Sequence, residues 1–227
     1  MLEGARLVFD ALNSSYEVET FLITESANEK YFDASVQMQR KSKNSYFISD
    51  TLSQKISETK NSQGVFAVCK MKNENISLKT GQKYIALDNL QDPGNLGTVI
   101  RTAEALGISS VIVGGGCDVF NPKVLRASMG SVLRLDVFEC QSLAPVLQKA
   151  KSLGIKTYAT SPDSSAKKIN ETQFPKSSLC VIGNEANGVS DEVMNICDET
   201  VTIPMLGRAE SLNAHVAGAI VMWEMLR

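Results

Sequence analysis

A chain of 227 residues with 43% hydrophobic side chains is long enough for one large domain or two small ones, each with a core of its own. A charged fraction of 21%, with 15 glycines and 6 prolines, excludes a disordered or collagen-like polymer. The formal net charge of −2 excludes a polycation, so any grip on nucleic acid has to come from a local basic patch.

In chain order, Ala5 to Leu12 is predicted as a helix with Leu7, Val8, Ala11 and Leu12 on one face. Val18 to Thr24 and Tyr46 to Ser49 are predicted strands, with Lys30, Arg40, Lys41 and Lys43 around a helical stretch between them. Thr51 to Thr59 is polar and helical, and Val65 to Cys69 is a buried strand. Met71 to Lys83 is polar and mixed in composition, the pattern of a linker. The expected domains are therefore 1–71 and 83–227, joined by a linker at 72–82. From Tyr84 onward, strands are predicted at 84–88, 109–113, 134–138, 156–160, 179–183 and 200–203. Helices are predicted at 95–106, 121–129, 142–153, 190–196 and 211–226. Strands alternating with helices imply an α/β fold whose mainly parallel sheet is covered on both faces, with ligands bound in the loops at the carboxyl ends of the strands.

Five widely spaced cysteines, Cys69, Cys117, Cys140, Cys180 and Cys197, form no CxxC pair and are read as reduced, mostly buried thiols of a cytoplasmic protein. With His215 as the only histidine, no metal site is expected. Residues 1–15 carry Glu3, Arg6 and Asp10, which is not a signal-peptide pattern. The apolar run Val216 to Leu226 is too short to span a bilayer and contains Glu224, so no membrane partner is expected.

Three loops carry polar chemistry. The first, Asn89 to Arg101, contains the tight turn Asp92-Pro93-Gly94, with Asn95 as a helix N-cap and Arg101 on the helix, able to point back toward the strand ends. The second, Gly183-Asn184-Glu185-Ala186-Asn187-Gly188, places a carboxylate between two glycines directly after a buried strand. The third runs from Ile203-Pro204-Met205 through Gly207 to Ser211, a natural N-cap, and then Asn213, an amide that can orient a substrate oxygen. The helix beyond it is rich in small residues, which permits close packing. His215 in that helix is read as a packed or interfacial histidine, with general base as the alternative. Gly114-Gly115-Gly116 is read as a strand-end turn, because no Gly-Lys-Ser/Thr or GxGxxG pattern follows that would make it a phosphate loop.

Taken together and in this order, the three loops resemble the motifs of the SpoU (TrmH-like) family of the SPOUT superfamily of RNA methyltransferases. The similarity covers Lys83 to Arg227. The segments Glu3-Gly4-Ala5-Arg6-Leu7-Val8 and Gln63-Gly64-Val65-Phe66-Ala67-Val68 resemble more loosely the L30e-like substrate-binding domain found upstream in many members, where further residues precede the Glu-Gly pair. The resemblance implies a C-terminal α/β domain with a deep trefoil knot, a homodimer, and S-adenosylmethionine bound bent within the knot at Thr160, Gly183, Asn184, Ile203, Met205 and Leu212. It implies catalytic positions at Arg101 and Asn95, supported by Glu185, Ser211 and Asn213. The implied activity is methylation of a ribose 2′-hydroxyl in RNA, ribosomal RNA before transfer RNA, with Lys123 and Arg126 as candidate phosphate contacts. The competing readings are a non-enzymatic RNA-binding or ribosome-assembly protein, which the basic cluster at 40–43 fits, and an unrelated nucleotide enzyme built on Gly114–Gly116.

Overall fold

The computed structural model describes residues 1–72 and 75–227. The chain divides into two compact units, Met1–Asn73 and Glu74–Arg227. Asn73 and Glu74, within the expected linker, lie outside the described residues.

In the first unit, β1 (Leu2–Glu3), β2 (Val18–Ile23), β3 (Asn44–Phe47) and β4 (Val65–Cys69) form a sheet in the order β1-β4-β2-β3. β4 is antiparallel to both neighbours, whereas β2 and β3 are parallel. A parallel pair needs a crossover, and α2 (Glu25–Lys30) and α3 (Phe32–Lys41) supply it. The core centres on Val8, Phe21, Ile23, Met38 and Phe66. Three expectations shift for local reasons. The first helix is α1 (Ala5–Asp10), tightened into a 3-10 turn at Ala11–Asn13. β3 begins and ends two residues early, because the Ser49 hydroxyl accepts the Leu52 N–H and caps α4 (Asp50–Ile56). That helix stops at Ile56, because the hydroxyls of Ser57 and Thr59 and the Glu58 N–H donate to the Glu3 carboxylate instead.

The basic cluster of this unit is partly engaged within it. Lys41 donates to the carbonyls of Ala11, Leu12 and Ser14 at 2.6–2.8 Å, closing the end of the 3-10 turn. Lys43 pairs with Glu17 and Glu19, and Lys30 lies 5.1 Å from the centre of the Tyr31 ring.

The second unit runs β5 (Lys83–Asp88), α5 (Pro93–Leu106), β6 (Ser110–Gly114), α6 (Pro122–Ala127), β7 (Asp136–Cys140), α7 (Ala144–Ser152), β8 (Lys156–Thr160), β9 (Lys167–Lys168), β10 (Ser178–Ile182), α8 (Asp191–Ile196), β11 (Glu199–Thr202) and α9 (Ala214–Leu226). Its seven strands lie in the order β7-β6-β5-β10-β8-β11-β9, and every neighbouring pair is parallel. β10 is buried along its whole length, as its unbroken run Leu179-Cys180-Val181-Ile182 requires. The short edge strand β9 was not expected. β7 begins two residues later than predicted, because Ser131–Leu133 forms a 3-10 turn and Arg134 pairs with Glu104 of α5.

The expected linker is corrected from residue 75 onward. Leu78 is buried in the core of the second unit with Tyr84 and Leu147, and Ile76 packs against that core. The Tyr84 hydroxyl accepts the Lys79 N–H at 2.7 Å. Two apolar side chains isolated among polar ones give no periodic signal, which is why this segment reads as linker.

Two close approaches depend on glycine. A Cβ on Gly97 would stand 2.5 Å from the Ala127 Cβ and 2.7 Å from the Val124 carbonyl, so its absence lets α5 lie on α6. Gly218 brings α9 against Ile182 and Val99 in the same way, as its small-residue composition suggested.

Candidate active site

Strand order assembles the site. β5, β10, β8 and β11 are consecutive neighbours in a parallel sheet, so their carboxyl ends lie side by side. The loops after β5, β10 and β11, and Thr160 at the end of β8, are thereby gathered on one edge, where ligands of such sheets bind.

A cavity of about 360 Å³ opens there. Thr160, Gly183, Asn184, Ile203, Met205 and Leu212 line it, as do Glu185 and Ser211. Residues given no role from the sequence, including Pro162, Met194, Glu210 and Ala217, complete it. Ala217 had a legible signal, the small-residue face of α9. Pro162, just beyond β8, and Met194, within α8, had none, because neither belongs to one of the three polar loops. The two charged residues of the lining are Glu185 and Glu210, and it contains no Lys or Arg. This is a poor site for a phosphate-rich nucleotide and a suitable one for a ligand carrying positive charge.

The first and second loops are bolted together. The Asp92 side chain, not Asn95, caps α5, accepting the Asn95 N–H at 2.7 Å, and Pro93 follows at the first helical position. This corrects the capping role given to Asn95, which lies in the first turn, only 7% exposed. Its amide is thus free for other work. The Nδ2 donates to Glu185 Oε1 at 2.9 Å, and Oδ1 faces His215 Nδ1 at 3.0 Å. Glu185 also accepts the backbone N–H groups of Gln91 and Asp92, each at 3.3 Å. Burial pushes the Glu185 carboxyl up, but the hydrogen bonds from Asn95 and from backbone N–H groups outweigh it and hold it below the usual carboxylate range. Asn184 donates to the Asn89 carbonyl at 2.7 Å, and Asp88 accepts both the N–H and the hydroxyl of Ser190. The turn itself is tight: a Cβ on Gly183 would fall 2.0 Å from the Gly188 carbonyl carbon.

The third loop is arranged differently. Asn213 caps α9, accepting the His215 N–H at 2.9 Å, and Ser211 does not, which corrects the capping role given to Ser211. Ser211 instead lines the cavity. Asn213 and Arg101 are not among the cavity-lining residues. Arg101 is exposed on α5 and, among the described residues, its side chain makes no hydrogen bond or ion pair, so Glu185 anchors the loop and not this arginine. Lys123 and Arg126 are exposed on α6. Gly114–Gly116 forms a turn packed against the first loop, with the Asn89 N–H donating to the Gly114 carbonyl and the Cys117 N–H to the Leu90 carbonyl. Among the described residues, no group of three His, Cys, Asp or Glu side chains could hold a metal ion, and no helix is long and apolar enough to cross a membrane.

Residues 82–223 match the SpoU rRNA Methylase family, and residues 1–67 match the MRM3-like substrate binding domain. The chain belongs to the SpoU methylase family. It is 34% identical to the 23S rRNA (guanosine(2553)-2′-O)-methyltransferase RlmP of Bacillus subtilis, over 99% of this chain and 87% of that protein. Among solved structures it is similar to a putative RNA methyltransferase of the TrmH family from Porphyromonas gingivalis, with a TM-score of 0.84 and 30% identity over 99% of this chain and 88% of the other. It is also similar to the SpoU methyltransferase AviRb from Streptomyces viridochromogenes in complex with the cofactor AdoMet, with a TM-score of 0.85 and 27% identity over 99% and 88% of the two chains. This SpoU fold, an α/β unit around a parallel seven-stranded sheet, is the fold class expected from the three loops.

Proposed function

We propose that this SpoU-family chain transfers a methyl group from S-adenosylmethionine to a ribose 2′-hydroxyl of ribosomal RNA. The observation that carries the reading is the cavity at the strand ends, lined by two carboxylates, no cationic side chain and the apolar Ile203, Met205 and Leu212. Those residues fit a cationic sulfonium with an apolar body. When bound, S-adenosylmethionine supplies an electrophilic methyl group.

The chain's own residues divide the remaining tasks. Thr160, Gly183, Asn184, Ile203, Met205 and Leu212 hold the cofactor, and the trefoil knot implied by the family wraps these loops around it. Glu185 and Asn95 keep the wall of the cavity fixed. Asn213 sets the start of α9, and Ser211 contributes a hydroxyl to the rim. Arg101, exposed and without a protein partner among the described residues, binds the phosphate beside the target ribose and orients its hydroxyl. Its planar guanidinium offers donors in a fixed fork and no acceptor, so alignment is its main contribution. Alignment of reacting groups is worth about 7–11 kcal/mol in the best cases.

The first unit serves as the RNA-binding domain, and Lys123 and Arg126 add phosphate contacts on α6. α9 exposes Val216, Trp223 and Leu226, with Trp223 62% exposed, which fits a helix that pairs two copies into a homodimer in the cytoplasm. The non-enzymatic alternative is weakened, because Lys41 and Lys43 of its basic cluster are engaged in intramolecular contacts. Incubation with labelled S-adenosylmethionine and ribosomal RNA, followed by nucleoside mass spectrometry, is expected to yield one 2′-O-methylated nucleoside. Methyl transfer to transfer RNA alone changes the substrate, and no cofactor binding in calorimetry sinks the reading.

A further inference from the structure

We propose that His215 is a positioning residue for the cofactor cavity, held as its Nδ1–H tautomer by a Glu185–Asn95–His215 relay. The inference rests on the methyl-transfer reading above for its functional part and on geometry for the relay itself.

An ionised carboxylate only accepts hydrogen bonds. Glu185 therefore dictates which end of the Asn95 amide faces it: the Nδ2 group, at 2.9 Å. The other end, Oδ1, then necessarily faces His215 Nδ1, at 3.0 Å. A carbonyl oxygen accepts only, so Nδ1 must carry the proton. Asn95 is nearly buried, so an unmatched partner there is not repaired by water. The relay links three separate elements. His215 sits in the first turn of α9, next to the cavity-lining Ala214; Asn95 sits in the first turn of α5; Glu185 belongs to the Gly183–Gly188 turn. Through it, a residue that does not line the cavity fixes the side chain of one that does.

The chemistry gives an atom-specific test. In His215→Asn, the amide nitrogen stands close to where Nδ1 was and still donates to Asn95. In His215→Asp, a carboxylate takes that place, repels Asn95 Oδ1 and is relieved when the amide turns over, which sets Oδ1 against Glu185 and releases the turn. His215→Ala leaves Asn95 Oδ1 unpaired. The dissociation constant for S-adenosylmethionine, measured by calorimetry, is expected to rise about tenfold in His215→Ala. It should rise further in His215→Asp and stay near wild type in His215→Asn, while kcat at saturating cofactor changes far less than KM. Equal behaviour of the Asn and Asp variants overturns the role.

The tautomer is read separately on the wild-type protein. His215 is the one histidine of the chain, so its imidazole nitrogens need no assignment in a long-range ¹H–¹⁵N spectrum at a pH where the ring is neutral. A protonated Nδ1 and bare Nε2 support the relay, and the reverse pattern overturns it even if the variants bind poorly for other reasons. A wild-type protein that binds no S-adenosylmethionine removes the methyl-transfer reading and the functional role with it, whereas the spectrum still decides the relay.

Discussion

Two segments line the same cavity and are held in opposite ways. The Gly183–Gly188 turn is tied to the first loop by Asn184, Glu185 and Asn95, and to itself by the paired hydrogen bonds between Asn184 and Gly188. Residues 204–212, by contrast, make no hydrogen bond among the described residues, and Leu206 is 99% exposed. One wall of the cavity is braced by the protein's own hydrogen bonds; the other is not, among the described residues. The difference teaches where substitutions act on the fold and where they act on binding.

The largest effect is expected on the built wall. Gly183→Ala sets a Cβ against the backbone of Gly188 and Val189, where no side chain can move aside. It should lower stability by about 3 kcal/mol and abolish cofactor binding, measured by denaturant unfolding and calorimetry. Gly207→Ala, whose Cβ would meet nothing within 4 Å, should do neither, and an equal loss in both would break the comparison.

Next comes Arg101→Lys, outside both walls. Loss of the planar fork should lower kcat about a hundredfold with cofactor affinity unchanged. A kinetic split of kcat from cofactor KM reads this, and intact turnover removes the alignment role.

A smaller effect belongs to pH. Because Glu185 titrates below the usual carboxylate range in the folded protein, its anchoring is complete above that range and is lost as pH falls through the lowered value. Cofactor affinity should fall with it toward acid, and in Glu185→Gln this acid limb should disappear. The smallest effect sharpens the contrast without any substitution. Amide exchange at 205–212 should be fast in the free protein and slow on addition of S-adenosylmethionine, whereas the Gly188 amide, bonded to the Asn184 carbonyl, should be protected in both.

Much of this was legible along the chain. The unbroken apolar run of β10 and its neighbours announced a parallel sheet, because strands buried on both faces need no alternation. The Asp-Pro-Gly turn, the glycine-bracketed Glu185 and the Pro204–Asn213 loop announced chemistry, because these residue types are local devices for turns, caps and close backbone approach. The residues also pointed past the right atoms in places. Asn95 and Ser211 are good capping residues by type, yet Asp92 and Asn213 cap the two helices, since several candidates within one turn differ only in geometry. The segment from 75 to 82 read as linker, because a single Leu78 becomes core only when α7 and Tyr84 close over it.

The sequence by itself determined most of the elements, the loops that meet at the cavity and the family, because those depend on periodicity and on residue types a few positions apart. Tertiary structure alone decided that β5, β10, β8 and β11 stand side by side, that Glu185 grips the first loop, and that Asn95 meets His215 across 120 positions. Those outcomes depend on strand order and on which hydrogen-bond donor reaches which acceptor, and neither is encoded in any local pattern.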